Sequence, residues 1–359
     1  GFTKGAAGLL GSVTLVASAF GGIIFGIVAD RSGRRVAMMG SILVYSVFTA
    51  ACGLAQTIWQ LALFRFILGL GMGGEWTSGA ALVSESWPDR HRGKALGLMQ
   101  SAWALGYAAA AVVSAVVLPR YGWRATFFVG ILPALFALWV RRHVEESPIW
   151  TRTRVAGASR GSLGAILQPP YLQLTIALTL LSLFSLFGYW GLNLWVPAYL
   201  SLPVDQGGIG LSTSVMTQLV VVMQAGTWFG YVSFGYIADS FGRKRSFVVF
   251  LLLGAALVSL YATTQNPVLL LLLGPLVAFF GTGYFSGFGA ITAEIYPTKM
   301  RATAQGFTFN VGRVGSAFAP FIVGSLAQTV GFGIAFLVTA ASFLVAACMW
   351  IWIPETRGR

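Results

Sequence analysis

Residues Gly26–Arg35 read GIVADRSGRR, and Gly235–Lys244 read GYIADSFGRK. Each has an aspartate four positions after its first glycine, then a second glycine and a basic pair, and the two stretches lie 209 positions apart. The same offset carries Glu85-Ser-Trp-Pro88 with Arg92 onto Glu294-Ile-Tyr-Pro297 with Arg301, and Glu146 onto Glu355. Three separated matches at one spacing imply two homologous halves related as parallel repeats. The expected division is a first bundle at 1–142, a charged cytoplasmic linker at 143–170 and a second bundle at 171–359.

The chain has 359 residues, of which 57% are apolar and only 9% charged, and its mean hydropathy is +0.78. A water-soluble protein of that size cannot hide so much apolar surface, so the composition excludes a soluble globular domain. Eleven apolar runs are each long enough to cross ~30 Å of hydrocarbon at 1.5 Å per residue. They fall near 7–29, 36–55, 59–84, 95–118, 122–141, 171–200, 213–238, 246–264, 267–294, 302–327 and 331–353. They are too long for barrel strands and lack a period of two, so they read as helices of an all-α membrane protein. Subtracting 209 from the run at 171–200 places its partner before residue 1. The expectation is therefore a six-plus-six protein with eleven of twelve transmembrane helices present and the first one missing.

The net charge of +13 is distributed unevenly. Eighteen of the 23 basic residues sit in alternate loops or the tail: Arg31, Arg34, Arg35, Arg90, Arg92, Lys94, Arg141, Arg142, Arg152, Arg154, Arg160, Arg243, Lys244, Arg245, Lys299, Arg301, Arg357 and Arg359. The opposite loops hold only Lys4, Arg120 and Arg124. The positive-inside rule makes the first set cytoplasmic, in a multi-pass protein of the cytoplasmic (inner) membrane. Apolar runs interrupt these residues, which argues against a nucleic-acid face. Cys52 and Cys348 stand far apart in apolar runs, and His91 and His143 lie among basic residues, so no disulfide framework, metal site, cofactor site or catalytic pair is visible.

Three ionisable residues fall inside the runs, where each charge costs ~2.5–3.5 kcal/mol on insertion scales and marks a functional site by default. Arg65 and Glu75 share the third run, ~15 Å apart along a helix, and Arg313 lies ~16 Å into the tenth. Their equivalents at the 209 offset are Gly274, Tyr284 and Ala104, so these charges break the symmetry that the loops keep. Arg313 has no acidic neighbour on its own helix, and its guanidinium matches a carboxylate in two parallel hydrogen bonds. Glu75, desolvated, suits a group that takes up and releases a proton, its rival reading being a static ion pair with Arg65 or an arginine of another span. Polar and aromatic residues that would line a cavity are Trp103, Tyr107, Tyr189, Trp190, Asn193, Gln224, Tyr284 and Asn310. The glycine-rich stretches 69–74 and 281–289 follow no strand and read as helix packing and bending sites.

Asp30, Arg34, Asp239 and Arg243 sit at run ends where carboxylates and guanidinium groups can meet each other and helix dipoles. Together with Glu85, Arg92, Glu294 and Arg301, and with Glu146 and Glu355, they read as a cytoplasmic gate that forms in one state and breaks in another.

The paired Gly-x-x-x-Asp loops resemble the signature of the major facilitator superfamily over nearly the full chain. Within it, Arg65–Trp76 (RFILGLGMGGEW), Glu85–Lys94 (ESWPDRHRGK) and Gly122–Gly130 (GWRATFFVG) resemble the sialate:proton symporter family, which includes monocarboxylate carriers. That resemblance implies the major facilitator fold, two pseudo-symmetric six-helix bundles rocking around a central site, and proton-coupled uptake of a small organic acid by a monomer. It also implies a coupling role for Arg65. Alternatives are a sugar or polyol:proton symporter, suggested by Glu-Ser-Pro and Pro-Glu-Thr, a multidrug exporter, and a solute sensor that moves nothing.

Overall fold

The computed structural model describes residues 4–155 and 163–357. Arg160 and Arg359 of the basic set lie outside the described residues, as do the side chains of Lys4 and Arg154. Among the described residues the chain is helical, with no strand. The helices are α1 (Lys4–Ser32), α2 (Arg34–Leu54), α3 (Ile58–Ser86), α4 (Arg92–Val129), α5 (Leu132–His143), α6 (Pro148–Val155), α7 (Leu163–Ile166) and α8 (Leu172–Asn193). They continue as α9 (Val196–Ser201), α10 (Thr213–Phe241), α11 (Arg243–Thr263), α12 (Pro267–Thr282), α13 (Phe288–Ile295), α14 (Arg301–Ser316), α15 (Ala319–Val330) and α16 (Phe332–Met349).

Eight stretches among the described residues are long and apolar enough to cross a membrane. The runs 59–84, 95–118 and 302–327 are helical too, as α3, the first part of α4, and α14 with α15, but are not among those eight. Breaks in the long runs fall where the sequence carries proline or glycine. Pro133, Pro197 and Pro320 restart α5, α9 and α15 at the first or second helical position, where a missing N–H costs nothing. Gly122 (φ 76°) interrupts α4, and Gly283–Gly287 tighten into a 3-10 turn between α12 and α13.

The two repeated loops have one backbone solution. Gly33 (φ 114°, ψ 150°) joins α1 to α2, and Gly242 (φ 102°, ψ 154°) joins α10 to α11, in a region of φ/ψ space that is nearly glycine-only. A Cβ at Gly33 would also collide with the Glu146 carboxylate, and one at Gly242 with that of Glu355.

The chain packs as two compact units: Gly1–Pro88 with Leu105–Thr175 and Thr292–Val314, and Asp89–Ala104 with Ile176–Ile291 and Gly315–Arg359. These are not the continuous segments of the sequence repeat, because 292–314 pack in the first unit and 89–104 in the second. In the first unit, α3 lies against α1 backbone to backbone. A Cβ on Gly69 or Gly73 would strike the carbonyl of Thr14 or Ser18, and one on Gly21 the carbonyl of Leu70. In the second unit, Gly226 and Gly230 bring α10 onto the carbonyls of Pro275 and Phe279 in α12. Lipid gives helices no hydrophobic reason to associate, so close approach over small residues supplies the contact.

Candidate functional site

The helix ends of the first unit hold a buried ionic network. Arg34 is fully buried and grips Glu85 with two parallel bonds, Nε to Oε2 and Nη2 to Oε1, both 2.9 Å. Arg301 Nη1 reaches the same Oε1 at 3.0 Å, and the Ser147 hydroxyl donates to Oε2. Arg34 also pairs with Asp30 at 3.0 Å and donates to the carbonyls of Ala29 and Thr298 at 2.9 and 2.7 Å. Glu85 thus balances two guanidinium groups, with Asp30 as the second acid, and each buried charge has partners.

The carboxylates also act as helix caps supplied from elsewhere in the chain. Asp30 accepts from Ala302 N at 3.2 Å and Thr303 N at 2.8 Å in the first turn of α14. Glu146 accepts from Arg34 N and Arg35 N at 2.9 and 3.1 Å at the start of α2, whose own N-cap, Gly33, has no side chain to do so. The second unit repeats the device. Glu355 accepts from Arg243 N and Lys244 N at 2.8 and 3.2 Å at the start of α11, and Asp239 accepts from Lys94 N at 3.0 Å in the first turn of α4. Four orphan N–H groups at a helix start carry partial positive charge, so a carboxylate there satisfies donors and dipole together. Asp239 additionally pairs with Arg243, four residues on. Arg92 is buried and Glu294 half-buried.

The sequence placed Ser147 and Trp150 in the linker and gave them no role. In the structure Ser147 bonds Glu85, and Trp150 Nε1 donates to the Asp30 carbonyl at 3.0 Å. The signal for Ser147 was its equivalent Thr356 at the 209 offset, also fully buried.

Arg313, Glu75 and Arg65 all belong to the first unit. Arg313 lies near the end of α14, donates from Nη1 to Ser18 Oγ of α1 at 3.2 Å, and has its Cζ 5.2 Å from the Phe309 ring centre. Phe309 stacks on Trp76 of α3 at 4.3 Å and 22°. Asn310 is buried, donates to the Gly306 carbonyl at 2.9 Å, and leaves Oδ1 without a partner. The sequence did not single out Ser18, Trp76 or Phe309. Phe309 and Arg313 stand four apart on one helix face, a spacing visible in the sequence, but what faced them was not.

Glu75 is exposed, stands near Tyr45 of α2, and makes no ion pair among the described residues. The static Arg65–Glu75 pair is absent. Ten helical positions separate the two residues along one axis, beyond the reach of their side chains. Arg65 lies over the Phe127 ring at 5.7 Å, with its Nε buried and unpartnered.

The remaining cavity candidates divide. In the second unit Tyr189 meets Phe285 edge-on at 5.5 Å and Trp190 at 5.2 Å, and Tyr284 is fully buried and stacked on Phe285 at 4.9 Å. Asn193 turns back to the Tyr189 carbonyl at 3.0 Å. Trp103 and Gln224 are exposed and meet none of these residues in a ring contact or hydrogen bond. The Tyr107 side chain lies outside the described residues. No cluster of His, Cys, Asp and Glu suited to a metal occurs among the described residues.

A duplicated set of carboxylate-capped helix starts, carried at the ends of membrane-length helices, repeats in the two units. The sequence profile of the Major Facilitator Superfamily matches residues 1–208 and again 202–359, and the chain belongs to that superfamily. It is a membrane transporter and not an enzyme. It is 36% identical to a probable 4-methylmuconolactone transporter of Cupriavidus pinatubonensis, covering 100% of this chain and 84% of that protein. It is 31% identical to the sialic acid transporter NanX of Escherichia coli, covering 96% and 83%. Its fold is similar to the proton:xylose symporter XylE bound to 6-bromo-6-deoxy-D-glucose, with a TM-score of 0.75 and 20% identity over 100% of this chain and 89% of that one.

Proposed function

We propose that this protein imports a small organic acid together with protons by alternating access. The observation that carries the reading is Arg313: a guanidinium held in an intramembrane helix between the Ser18 hydroxyl and the Phe309 ring, a setting that favours a carboxylate as ligand. Relatives named for carrying sialic acid and a muconolactone support an organic acid as cargo. Glu75, an intramembrane carboxylate outside any ion pair among the described residues, takes the proton, and Arg65 on the same helix takes part in the coupling. The networks around Glu85 and Asp239 form the inner gate, whose breakage opens the cytoplasmic side. Asn310, Trp103, Tyr107, Tyr189, Trp190, Asn193, Gln224 and Tyr284 contribute the walls of the cargo path.

In this reading the eleven apolar runs all cross the cytoplasmic membrane, the basic loops face the cytoplasm, and the monomer is the working unit. The test is uptake into proteoliposomes of sialate, a panel of monocarboxylates and hexoses, with and without an inward pH gradient. Acids accumulate in preference to hexoses, and the gradient drives them. Preference for a neutral hexose over every acid overturns the substrate assignment.

A further inference from the structure

The stretch Arg120–His143, which contains α5, is the least covered of the eight membrane-length stretches: 11% of its most apolar window is buried, against 33–56% in the other seven. Ala137 and Val140 of α5 are buried, and Leu132, Leu135, Leu138 and Trp139 on the opposite side are exposed. Arg142 follows Leu135, Leu138 and Trp139 at helical spacing and so ends the same apolar face. Phe136 stacks on Trp139 at 5.2 Å and 18°, and Trp139 on His143 at 5.2 Å and 23°, so three rings run in a column to the helix end. Arg141 and Arg142 are exposed and make no hydrogen bond or ion pair among the described residues. Of the acids that follow them, Glu145 is exposed and Glu146 has its carboxylate occupied by the first N–H groups of α2.

The internal repeat separates what the scaffold needs here from what it does not. Arg35 Nη1 donates to the Val144 carbonyl at 3.0 Å in the first unit, and Lys244 Nζ donates to the Ile353 carbonyl at 3.3 Å in the second, so a cation closing this helix end belongs to both. At the same offset Arg141, Arg142 and His143 correspond to Trp350, Ile351 and Trp352, and Trp139 corresponds to Cys348. The fold therefore does not require the three polar residues. Guanidinium groups at the water end of an exposed apolar face, beside interfacial rings, match a phosphate diester in paired hydrogen bonds and its acyl chains in apolar contact. We propose that the end of α5 binds an acidic phospholipid of the adjoining leaflet, its phosphate held by Arg141 and Arg142 and its chains lying along Leu135, Leu138 and Trp139. The assignment depends on the membrane setting and on no particular cargo.

The experiment reads lipid retention on the detergent-purified protein by native mass spectrometry, with palmitoyl-oleoyl phosphatidylglycerol competing against phosphatidylcholine of the same chains. One arginine near an anionic headgroup is worth about fivefold, so the wild type holds its tightest phosphatidylglycerol about tenfold or more in preference to phosphatidylcholine. Arg141→Gln combined with Arg142→Gln lowers that preference about tenfold, and Arg141→Lys combined with Arg142→Lys retains most of it, a rescue that misfolding does not mimic. The charge-matched pair Arg31→Gln and Arg245→Gln, at exposed positions elsewhere, leaves the preference unchanged. Equal losses in the two Gln pairs overturn the proposal, because the basic residues then act through net charge alone. A preference that survives Arg141→Gln with Arg142→Gln also overturns it, as does displacement of the lipid by soluble glycerol 3-phosphate, which would assign the site to free phosphate.

Discussion

Asp30 caps α14 at Thr303: its Oδ2 accepts the Thr303 N–H at 2.8 Å, although 273 positions separate the two residues in the chain. A carboxylate from the first repeat thereby completes the start of a helix in the second, and the same helix carries Arg313 ten positions after Thr303. Any movement of α14 that displaces Arg313 must break or carry this cap. The cap and Arg313 stand on one continuous helix.

Asp30→Asn removes the negative charge from the start of α14 and retains one acceptor oxygen. Loss of the charge–dipole term costs about 1–2 kcal/mol in a buried setting. The expected result is a lower melting temperature of the detergent-purified protein and slowed transport. A melting curve identical to wild type would show that the cap contributes nothing to the resting state.

Replacing Glu85 with Gln leaves Arg34 and Arg301 buried with no carboxylate between them, and removal of one partner from such a group costs about 3–5 kcal/mol. Combining Glu85→Gln with Arg301→Met recovers part of that loss, because one stranded charge goes with it. Denaturation of the single and double variants measures the coupling, and strict additivity of the two effects contradicts the network.

Gly33→Ala and Gly242→Ala each force a side chain into glycine-only backbone and against a capping carboxylate, at about 1–3 kcal/mol. Gly40→Ala, whose new Cβ meets only the Phe25 ring at ordinary van der Waals distance, is the control and leaves stability nearly unchanged. Equal melting temperatures for all three would refute the assigned backbone role.

Ser18→Ala deletes the hydroxyl that accepts from Arg313 and leaves the helix packing in place. Losing one such hydrogen bond, near 1 kcal/mol, lowers the apparent affinity for the transported acid about fivefold. Uptake measured over a range of acid concentrations checks this, and an unchanged half-saturation concentration would dissociate Ser18 from the anion site.

The capped helix ends could be read from the sequence to an unusual depth because they are written twice. Gly33 and Gly242, Asp30 and Asp239, and Glu146 and Glu355 fall at one offset, and each pair occupies the same structural position. What the sequence did not contain was the register between distant helices. Nothing in the order of residues brings Asp30 to the first turn of α14, or sets Trp76 against Phe309. The Arg65–Glu75 alternative was open on composition alone and closed by geometry, since ten residues of helix hold the two apart.

The most direct measurement is the acid accumulated by proteoliposomes under an inward pH gradient, compared among wild type, Arg313→Gln and Glu75→Gln. The account predicts gradient-driven accumulation by the wild type, loss of at least tenfold in acid affinity for Arg313→Gln, and acid exchange that no longer responds to the gradient for Glu75→Gln. Undiminished accumulation by Arg313→Gln, or gradient-driven uptake that persists in Glu75→Gln, would contradict it.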